Sequence, residues 1–308
     1  MGRYAARRLL QMIPIFIGTT LLIFLMVHIL PGDPIRAMWG DKAADPAQVA
    51  ALRHEFGLDQ PVWKQYIDYM LNLFQGDFGK TFGGRQVIDV MSEAFPVTLR
   101  LTLFAIAIEI VVGIGLGAWA GLKAGKAPDS GVLIFTLLVI SIPVFVLGYL
   151  ARFVLADKLG WVAPNVQDSE NWGQLFLPAF VLAMLSMAYV ARLTRTTFAE
   201  NLRADYMRTA LAKGLPRRRI VGVHLLRNSL IPVITFIGTD VGAFIGGAVI
   251  TEGIFNVQGV GNVLFRAIQT SEGTTIVGVV TILVLVILLI NLVIDLLYAV
   301  LDPRIRYA

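Results

Sequence analysis

The chain is poor in the residues that build disulfides, metal sites and charged protein surfaces. It contains no cysteine, which excludes disulfides and thiolate metal sites. Its three histidines, His28, His54 and His224, lie far apart in the sequence and show no metal-ligand spacing. Only 15% of the 308 residues are charged, too few to cover the surface of a soluble protein. The sequence therefore predicts neither a metal site nor a soluble globular domain.

Motifs of common catalytic sites are also missing. Neither a Gly-x-Ser-x-Gly elbow nor a His-Glu-x-x-His pair occurs. Gly79-Lys80-Thr81 ends like a phosphate-binding loop, but Phe74 stands where that signature needs its first glycine. We therefore predict no catalytic residue in this chain.

Apolar residues are in excess, at 56% of the total, and they form long runs. A helix needs about 20 predominantly apolar residues to cross a membrane. Six runs of roughly that length predict an all-α, polytopic membrane protein with six transmembrane helices. We place these spans at residues 9–30, 99–122, 131–156, 175–193, 230–251 and 275–300.

The segment between the first two spans, residues 31–98, is the one long polar insert. Asp45-Pro46 predicts the start of a helix that stops at Gly57, and Pro61 predicts the start of a second. The second helix would pack its apolar face on the spans or on the membrane interface. That face comprises Val62, Tyr66, Ile67, Leu71 and Phe74.

The distribution of basic residues predicts the orientation of the spans. Arginines precede the first span, and further Lys and Arg residues concentrate in segments 123–130 and 196–229. By the positive-inside rule, both termini are expected in the cytoplasm and the insert outside. A cleaved signal peptide is the alternative for the N-terminus, but the first run is too long and no cleavage site follows it. The net charge of +5 lies in short loops, which does not favour nucleic-acid binding.

Two patterns within the spans predict how helices pack. Glycines recur every fourth residue from Gly113 through Gly117 and Gly121 to Gly125, which predicts a close helix–helix approach on one face. Pro143 lies in the middle of the third span and predicts a kink.

Residues 203–232 form a basic island between two apolar runs. Asp205 is predicted to cap a short helix, and Gly214 to stop it. Pro216 cannot continue that helix but can begin the next. The island therefore predicts helix, glycine turn and second helix within one loop. From the residues alone, this loop could also serve only to fix the topology.

The same island resembles the cytoplasmic "EAA" loop of binding-protein-dependent ABC importer permeases. Thr209-Ala210, three residues and then Gly214 match its core. Arg208 replaces the usual glutamate and Pro232 comes late; both departures resemble the dipeptide/oligopeptide/nickel branch. Leu30–Pro34, Glu252–Gly261 and Leu301–Arg306 resemble further segments of that family.

The resemblance implies the fold, the partners and the localisation. The fold would be that of type I ABC importer permeases, with residues 1–98 as the first span plus external insert and 99–308 as the five-span core. The partners would be a second, homologous permease in a heterodimer, two cytoplasmic ABC ATPases that bind ATP and Mg, and an extracytoplasmic solute-binding protein. The chain itself would need no cofactor and contact membrane lipid but no nucleic acid, in the plasma (inner) membrane of a bacterium or archaeon.

The resemblance also implies the site residues. The short helix would dock into a groove of an ATPase, and ATP binding would move the permease from inward-open to outward-open. The coupling residues would be Asp205, Tyr206, Arg208, Thr209, Ala210, Lys213, Gly214, Leu215, Pro216 and Arg217. An external loop or gate would comprise Glu252, Phe255, Gly259 and Gly261.

Polar residues inside the spans are the remaining candidates for the translocation pathway. Asp240 shares its span with Gly242 and Gly246 and is the best of them, because a carboxylate there commonly faces a watery path. A helix–helix hydrogen bond is the structural alternative. Glu109, Arg152, Asn291 and Asp295 also lie in or near spans, and Asp295 is interpreted as structural.

The expected function is half of the translocation pathway of an ATP-driven peptide importer. An ion-coupled secondary transporter that uses Asp240 is the alternative from a different class, and a channel or scaffold is a third. Within the importer interpretation, a nickel chelate, haem or oligosaccharide is an alternative solute.

Overall fold

The computed structural model describes residues 2–29, 45–55 and 59–301 of the chain. Within these residues the regular structure is helical apart from one isolated β-bridge between Lys80 and Gln86. This confirms the predicted all-α class. The resembling segments at 30–34 and 302–306 and the helix stop at Gly57 lie outside the described residues.

The chain forms two compact units, residues 1–98 with 258–308, and residues 99–257. The helices of the first unit are α1 (Gly2–Ile29), α2 (Pro46–Glu55), α3 (Val62–Phe74), the first part of α4 (Val87–Leu122), α10 (Val260–Gln269) and α11 (Gly273–Leu301). The second unit holds the rest of α4, then α5 (Ala127–Ser141), α6 (Val144–Lys158), α7 (Trp172–Asn201), α8 (Asp205–Ala212) and α9 (Arg217–Phe255).

Within the described residues, five helices are long and apolar enough to cross a membrane, namely α1, α4, α7, α9 and α11. The number rises to six if α5 and α6 together form one broken span. That pair bends by 105° at Pro143, which confirms the predicted kink. Ile142 has φ −105° and ψ 128°, because proline excludes the helical conformation from the residue before it.

Several spans extend beyond their apolar runs. Helix α4 begins at Val87 rather than near residue 99, α7 continues to Asn201, and α9 begins at Arg217 rather than near residue 230. Hydropathy measures the length of chain that suits lipid, whereas backbone hydrogen bonding continues wherever polar helix formers follow. These helices are therefore longer than the predicted spans, and the span boundaries themselves stay a prediction.

In the first unit, α1 and α3 meet through polar contacts. The hydroxyls of Thr20 and Tyr66 lie 3.0 Å apart, and the Tyr69 hydroxyl donates to Thr281 Oγ1 on α11 at 2.8 Å. Burial raises the pKa of Tyr69 to about 12, so its phenol remains a donor at neutral pH. Asp45 Oδ1 accepts the Ala47 N–H at 3.0 Å, which confirms the predicted start of α2.

The predicted apolar face of α3 contacts this chain only in part. Tyr66 is half-buried against α1, whereas the other four members of the face are exposed. They are Val62, Ile67, Leu71 and Phe74. The whole face therefore does not pack on the spans, and the alternative, packing on the membrane interface, stays a prediction.

In the second unit, α7 is the central helix, with 67% of its apolar window buried. Helix α4 approaches it closely along glycines. A Cβ atom on Gly113 would lie 2.9 Å from Val190 Cγ1, and one on Gly121 would lie 2.6 Å from Phe198 Cβ. Gly117 lies between them on the same face. This confirms the predicted packing face for three of the four glycines.

Gly125 does not belong to that face. It lies in the turn between α4 and α5, with φ +79° and open space around a Cβ position. Glycine adopts this backbone conformation without steric cost, which explains why position 125 is a glycine. The fourth member of the glycine series was therefore assigned wrongly, because α4 ends at Leu122.

Candidate functional site

Helix α8 is held against the unit by one apolar face. Its Met207 and Ala210 are only 3% and 5% exposed. The Tyr206 hydroxyl adds a hydrogen bond of 2.7 Å to Asn201 Oδ1 at the end of α7. The other buried members of this cluster are Phe198, Ile220 and Leu225, and Leu215 packs against it. These contacts fix the orientation of α8 relative to α7 and α9.

The opposite face of α8 and the turn after it are exposed and basic. The exposed residues among the predicted coupling set are Asp205, Arg208, Thr209, Lys213, Gly214, Pro216 and Arg217. Arg218 and Arg219 extend the positive charge into the start of α9. Leu211 is 64% exposed and places an apolar side chain on the same helix. The arrangement offers an apolar and cationic surface to a partner.

Asp205 does not cap α8, so the predicted cap was wrong. The residue before the helix is Ala204, with φ −68° and ψ 149°, and no side chain caps the terminus. Asp205 is the first helical residue, and its carboxylate lies 3.5 Å from the Arg208 guanidinium. A carboxylate in the first turn still complements the positive end of the helix dipole.

Gly214 ends α8 as predicted. Its φ is +69°, a conformation that glycine adopts without steric cost. The Leu215 N–H donates a hydrogen bond to the Ala210 carbonyl at 3.4 Å, and the Gly214 N–H donates one to the Leu211 carbonyl at 2.9 Å. No atom lies within 4 Å of a Cβ built on Gly214, so only the backbone conformation demands glycine.

Pro216 starts the next helix as predicted. Its φ is −64°, and its carbonyl accepts the Arg219 N–H at 2.8 Å. That helix, however, is no separate element within a loop. It continues without interruption through Pro232 to Phe255 as α9. Only the turn from Lys213 to Pro216 therefore separates α8 from the membrane-spanning helix α9.

The pathway candidates on α9 have unlike surroundings. Asp240 is half-buried, and its Oδ2 accepts a hydrogen bond from Ser186 on α7. The same Ser186 hydroxyl contacts Glu109 Oε1 on α4. Gly242 is buried, whereas Gly246 is exposed with no atom within 4 Å of a Cβ position. Asp240 therefore belongs to a polar cluster that joins three helices.

The segment predicted as an external glycine-rich loop begins inside α9. Glu252 and Phe255 are 0% and 1% exposed. The Phe255 carbonyl accepts the Val166 N–H at 2.8 Å, and the Ile254 carbonyl accepts from Arg152 at 2.9 Å. The expected loop was therefore wrong for Glu252 and Phe255, which lie in a buried part of α9. Apolar packing overrides the local glycine content there.

Gly259 and Gly261 lie in the first unit, at the start of α10, and both are buried. The Val260 N–H donates to Thr98 Oγ1 at 2.9 Å, which anchors this helix terminus. Helix α10 was not predicted. Its ten residues are too short to register as a span, and only an amphipathic pattern marks them.

Two family models cover nearly the whole chain. Residues 113–307 match the binding-protein-dependent transport system inner membrane component. Residues 1–102 match the N-terminal model of binding-protein-dependent transport system membrane components. The chain belongs to this permease family. It is therefore a multi-pass inner membrane transport subunit with no ATPase site of its own, and family members act with ATPases and binding proteins.

Curated proteins similar to this permease include three named transport permeases. The di/tripeptide permease DppB of Pseudomonas aeruginosa (strain UCBPP-PA14) is 38% identical, with 99% of this chain and 98% of that protein covered. The dipeptide permease DppB of Escherichia coli (strain K12) is 36% identical, with 100% and 99% covered. The glutathione permease GsiC of Escherichia coli (strain K12) is 37% identical, with both chains fully covered.

An ion pair at the N-terminus of α5 was missed by the sequence analysis of this permease. Arg195 Nε and Nη2 each lie 2.7 Å from one oxygen of Asp129, and Asp129 Oδ2 also accepts the Gly125 N–H at 2.8 Å. The Asp129 side chain is 4% exposed. This fork joins the α4–α5 turn to α7, six residues before α7 ends at Asn201.

Two of the polar candidates, Asp295 and Asn291, lie in the first unit. The Arg8 guanidinium lies 3.0 Å from Asp295 Oδ1, which links α1 to α11. Asn291 lines a cavity of about 400 Å³ beside that pair. Among the residues that the structure describes, no cluster of three or more His, Asp or Glu side chains could hold a metal.

Proposed function

We propose that this permease forms half of the translocation pathway of an ATP-driven importer of short peptides. The observation that carries the proposal is α8, whose inner face is packed on α7 and α9 while its outer face is exposed and cationic. An element anchored in this way transfers force applied by a partner to both spans. Asp240, Gly242 and Gly246 are the proposed pathway residues.

The proposed partners follow from the family to which the chain belongs. Two cytoplasmic ATPases would bind ATP and Mg, and each would receive one coupling helix. A second, homologous permease would complete the pathway in a heterodimer, and an extracytoplasmic binding protein would deliver the solute near Glu252, Phe255, Gly259 and Gly261. Both termini of this permease would then lie in the cytoplasm, with α8 on the same side.

Short peptides are the proposed solute because the similar permeases are named for di/tripeptides, dipeptides and glutathione. These compounds share a peptide backbone with charged ends. In the proposed cycle, ATP binding closes the ATPases on each other and carries α8 with them. The turn at Gly214 and Pro216 passes the movement to α9, and the pathway changes from inward-open to outward-open.

The composition of the native complex tests this proposal first. Gentle affinity purification of the permease should recover a second six-span permease and chains with complete Walker motifs in stoichiometric amounts. The purified complex, placed in vesicles with its binding protein, should take up labelled dipeptide only with ATP. A permease that purifies alone and transports without ATP would refute the proposal.

Valine at Gly214 should uncouple ATP hydrolysis from uptake. A β-branched residue in the left-handed conformation costs at least about 1–2 kcal/mol, so the turn between α8 and α9 should change shape. We expect peptide uptake to fall at least about tenfold, the equivalent of about 1.4 kcal/mol, while ATP hydrolysis persists. The measurement is the ratio of peptide transported to ATP hydrolysed in vesicles.

Gly160→Val is the matched control for this variant. Gly160 also has a positive φ, +63°, and open space around its Cβ position, but it lies between α6 and α7, away from α8. It should carry similar backbone strain and keep the normal transport ratio. Equal transport ratios in both variants and the wild type would count against a coupling role for the Gly214 turn.

A further inference from the structure

Three polar side chains meet where α4, α7 and α9 pack in the second unit. Glu109 of α4 and Asp240 of α9 both contact the hydroxyl of Ser186 on α7. The Glu109 side chain is 0% exposed. It is also the first residue of a π-helical turn, Glu109–Gly113, a feature that often marks functional positions within helices.

If both carboxyl groups were ionised, the cluster would hold too few hydrogen atoms for both contacts to be hydrogen bonds. A serine hydroxyl carries one hydrogen, and an ionised carboxylate can only accept. Ser186 can therefore donate to Glu109 or to Asp240, but not to both. The second contact requires a hydrogen on one of the carboxyl groups. At least one of Glu109 and Asp240 is thus protonated in this arrangement.

Burial indicates which of the two carries the proton. Glu109 Oε2 is buried and has no hydrogen-bond partner among the described residues. An ionised oxygen would be very unfavourable there, whereas the carbonyl oxygen of a neutral acid is tolerated. Asp240 is only half-buried. The consistent assignment has Glu109 Oε1–H donating to Ser186 Oγ and Ser186 Oγ–H donating to Asp240 Oδ2.

In the part of the chain that the structure describes, neither Glu109 nor Asp240 forms an ion pair with a cation. Arg195 of α7 is paired with Asp129 of α5, and Arg152 of α6 donates to the Ile254 carbonyl. Tyr189 of α7 packs on Phe236 of α9.

We propose that Glu109, Ser186 and Asp240 form a proton-binding site in the transmembrane part of this permease, with Glu109 as the holder and Asp240 as the point of exchange with water. A proton taken up by Asp240 passes to Ser186 Oγ as the serine proton passes to Glu109. An O–H bond forms and then breaks at Asp240 Oδ2, one forms as one breaks at Ser186 Oγ, and one forms at Glu109 Oε1, so that Ser186 is unchanged. This site goes beyond peptide transport and does not depend on the solute.

The bound proton links three helices that would otherwise repel one another. Without it, two carboxylates would face one serine, and α4 and α9 would separate from α7 or draw water between them. Because the folded cluster holds a proton that an exposed carboxyl releases at neutral pH, alkaline conditions should favour disruption of the packing. The site thereby makes helix packing in the second unit sensitive to pH.

Infrared spectroscopy of the intact transporter complex in lipid nanodiscs tests the site. The wild type at neutral pH should show the C=O stretch of a protonated carboxyl group, which shifts on transfer to D2O. Glu109→Gln should lose this band. Asp89→Asn, which removes an exposed carboxylate from the same helix, should keep it. No band difference between the wild type and Glu109→Gln would overturn the proposal.

Thermal unfolding at several pH values provides an independent readout. The apparent melting temperature of the wild type and of Asp89→Asn should fall towards alkaline pH. Glu109→Gln should remove that fall, because glutamine keeps the shape of the neutral acid without its proton. A parallel fall in Glu109→Gln would contradict the proposed site.

Two further variants keep the test decisive if Glu109→Gln fails to assemble. Asp240→Asn should keep the Glu109 band, since the amide oxygen still accepts from Ser186; its loss would place the proton on Asp240 and overturn the assignment. Ser186→Ala should keep the band but delay its shift in D2O. An unchanged rate of exchange would overturn the relay.

Discussion

Alanine at Gly117 should destabilise the permease strongly. A Cβ atom there would lie 2.6 Å from Thr194 Cβ and closer still to the carbonyl oxygen of Ala191. The clash involves the backbone of α7, so a side-chain rotation cannot relieve it, and α4 must move away from α7. We expect a loss near the upper end of the overpacking range, about 3 kcal/mol. The measurement is the apparent melting temperature of the purified complex.

Gly115→Ala is the internal control for this substitution. Gly115 lies two residues away on α4, with no atom within 4 Å of a Cβ position. Alanine is favoured over glycine inside a helix by about 0.5–1 kcal/mol, so this variant should be as stable as the wild type or slightly more so. Equal melting temperatures for the two variants would show that α4 does not approach α7 along Gly117.

Removal of Arg195 should also destabilise the second unit. Arg195→Ala leaves the Asp129 carboxylate buried with only the Gly125 N–H as a partner. Loss of one member of a buried ion pair costs about 3 kcal/mol or more. The arginine side chain is 26% exposed, so we expect a value near that lower limit. The apparent melting temperature should fall accordingly, and lysine should restore it only in part because it cannot form the two-pronged contact.

Arg85→Ala tests whether burial, rather than the ion pair itself, causes this effect. Arg85 lies 2.6 Å from Glu93, but both side chains are more than half exposed. An exposed pair contributes little to stability, so its loss should leave the melting temperature within experimental error. The double variant Asp129→Ala with Arg195→Ala should recover part of the loss. Similar destabilisation by Arg85→Ala and Arg195→Ala would show that the burial of Asp129 does not raise the cost of losing its ion pair.

The parts of the fold that were predicted correctly depend on short stretches of chain. Apolar runs showed where the long apolar helices lie. Pro143 showed where one breaks, and Gly214 and Pro216 showed where α8 ends and α9 begins. Proline and glycine act on their own backbone dihedrals and on those of adjacent residues, so their effects can be read without the partners. The stripe from Gly113 to Gly121 could be predicted because helical periodicity alone places it on one face.

The parts that were missed or misassigned depend on partners distant in the sequence. The helix ends were not predicted, because polar residues next to an apolar run can continue a helix when they pack on a neighbour. Glu252 was assigned to an external loop, but α9 continues through it and the residue is buried. Ser186 carries no signal of its own within an apolar run. It becomes informative only when two carboxylates from other helices meet it.

The sequence by itself determined the membrane class, the family, the position of the coupling helix and its glycine stop, because these follow from local composition and backbone constraints. The tertiary structure decided which face of α8 is exposed, which glycines meet α7, and that Asp129 meets Arg195. It also brought Glu109 and Asp240 to one serine. Such pairings join residues on different helices, and their free energies depend on burial and distance, which only the packed chain defines.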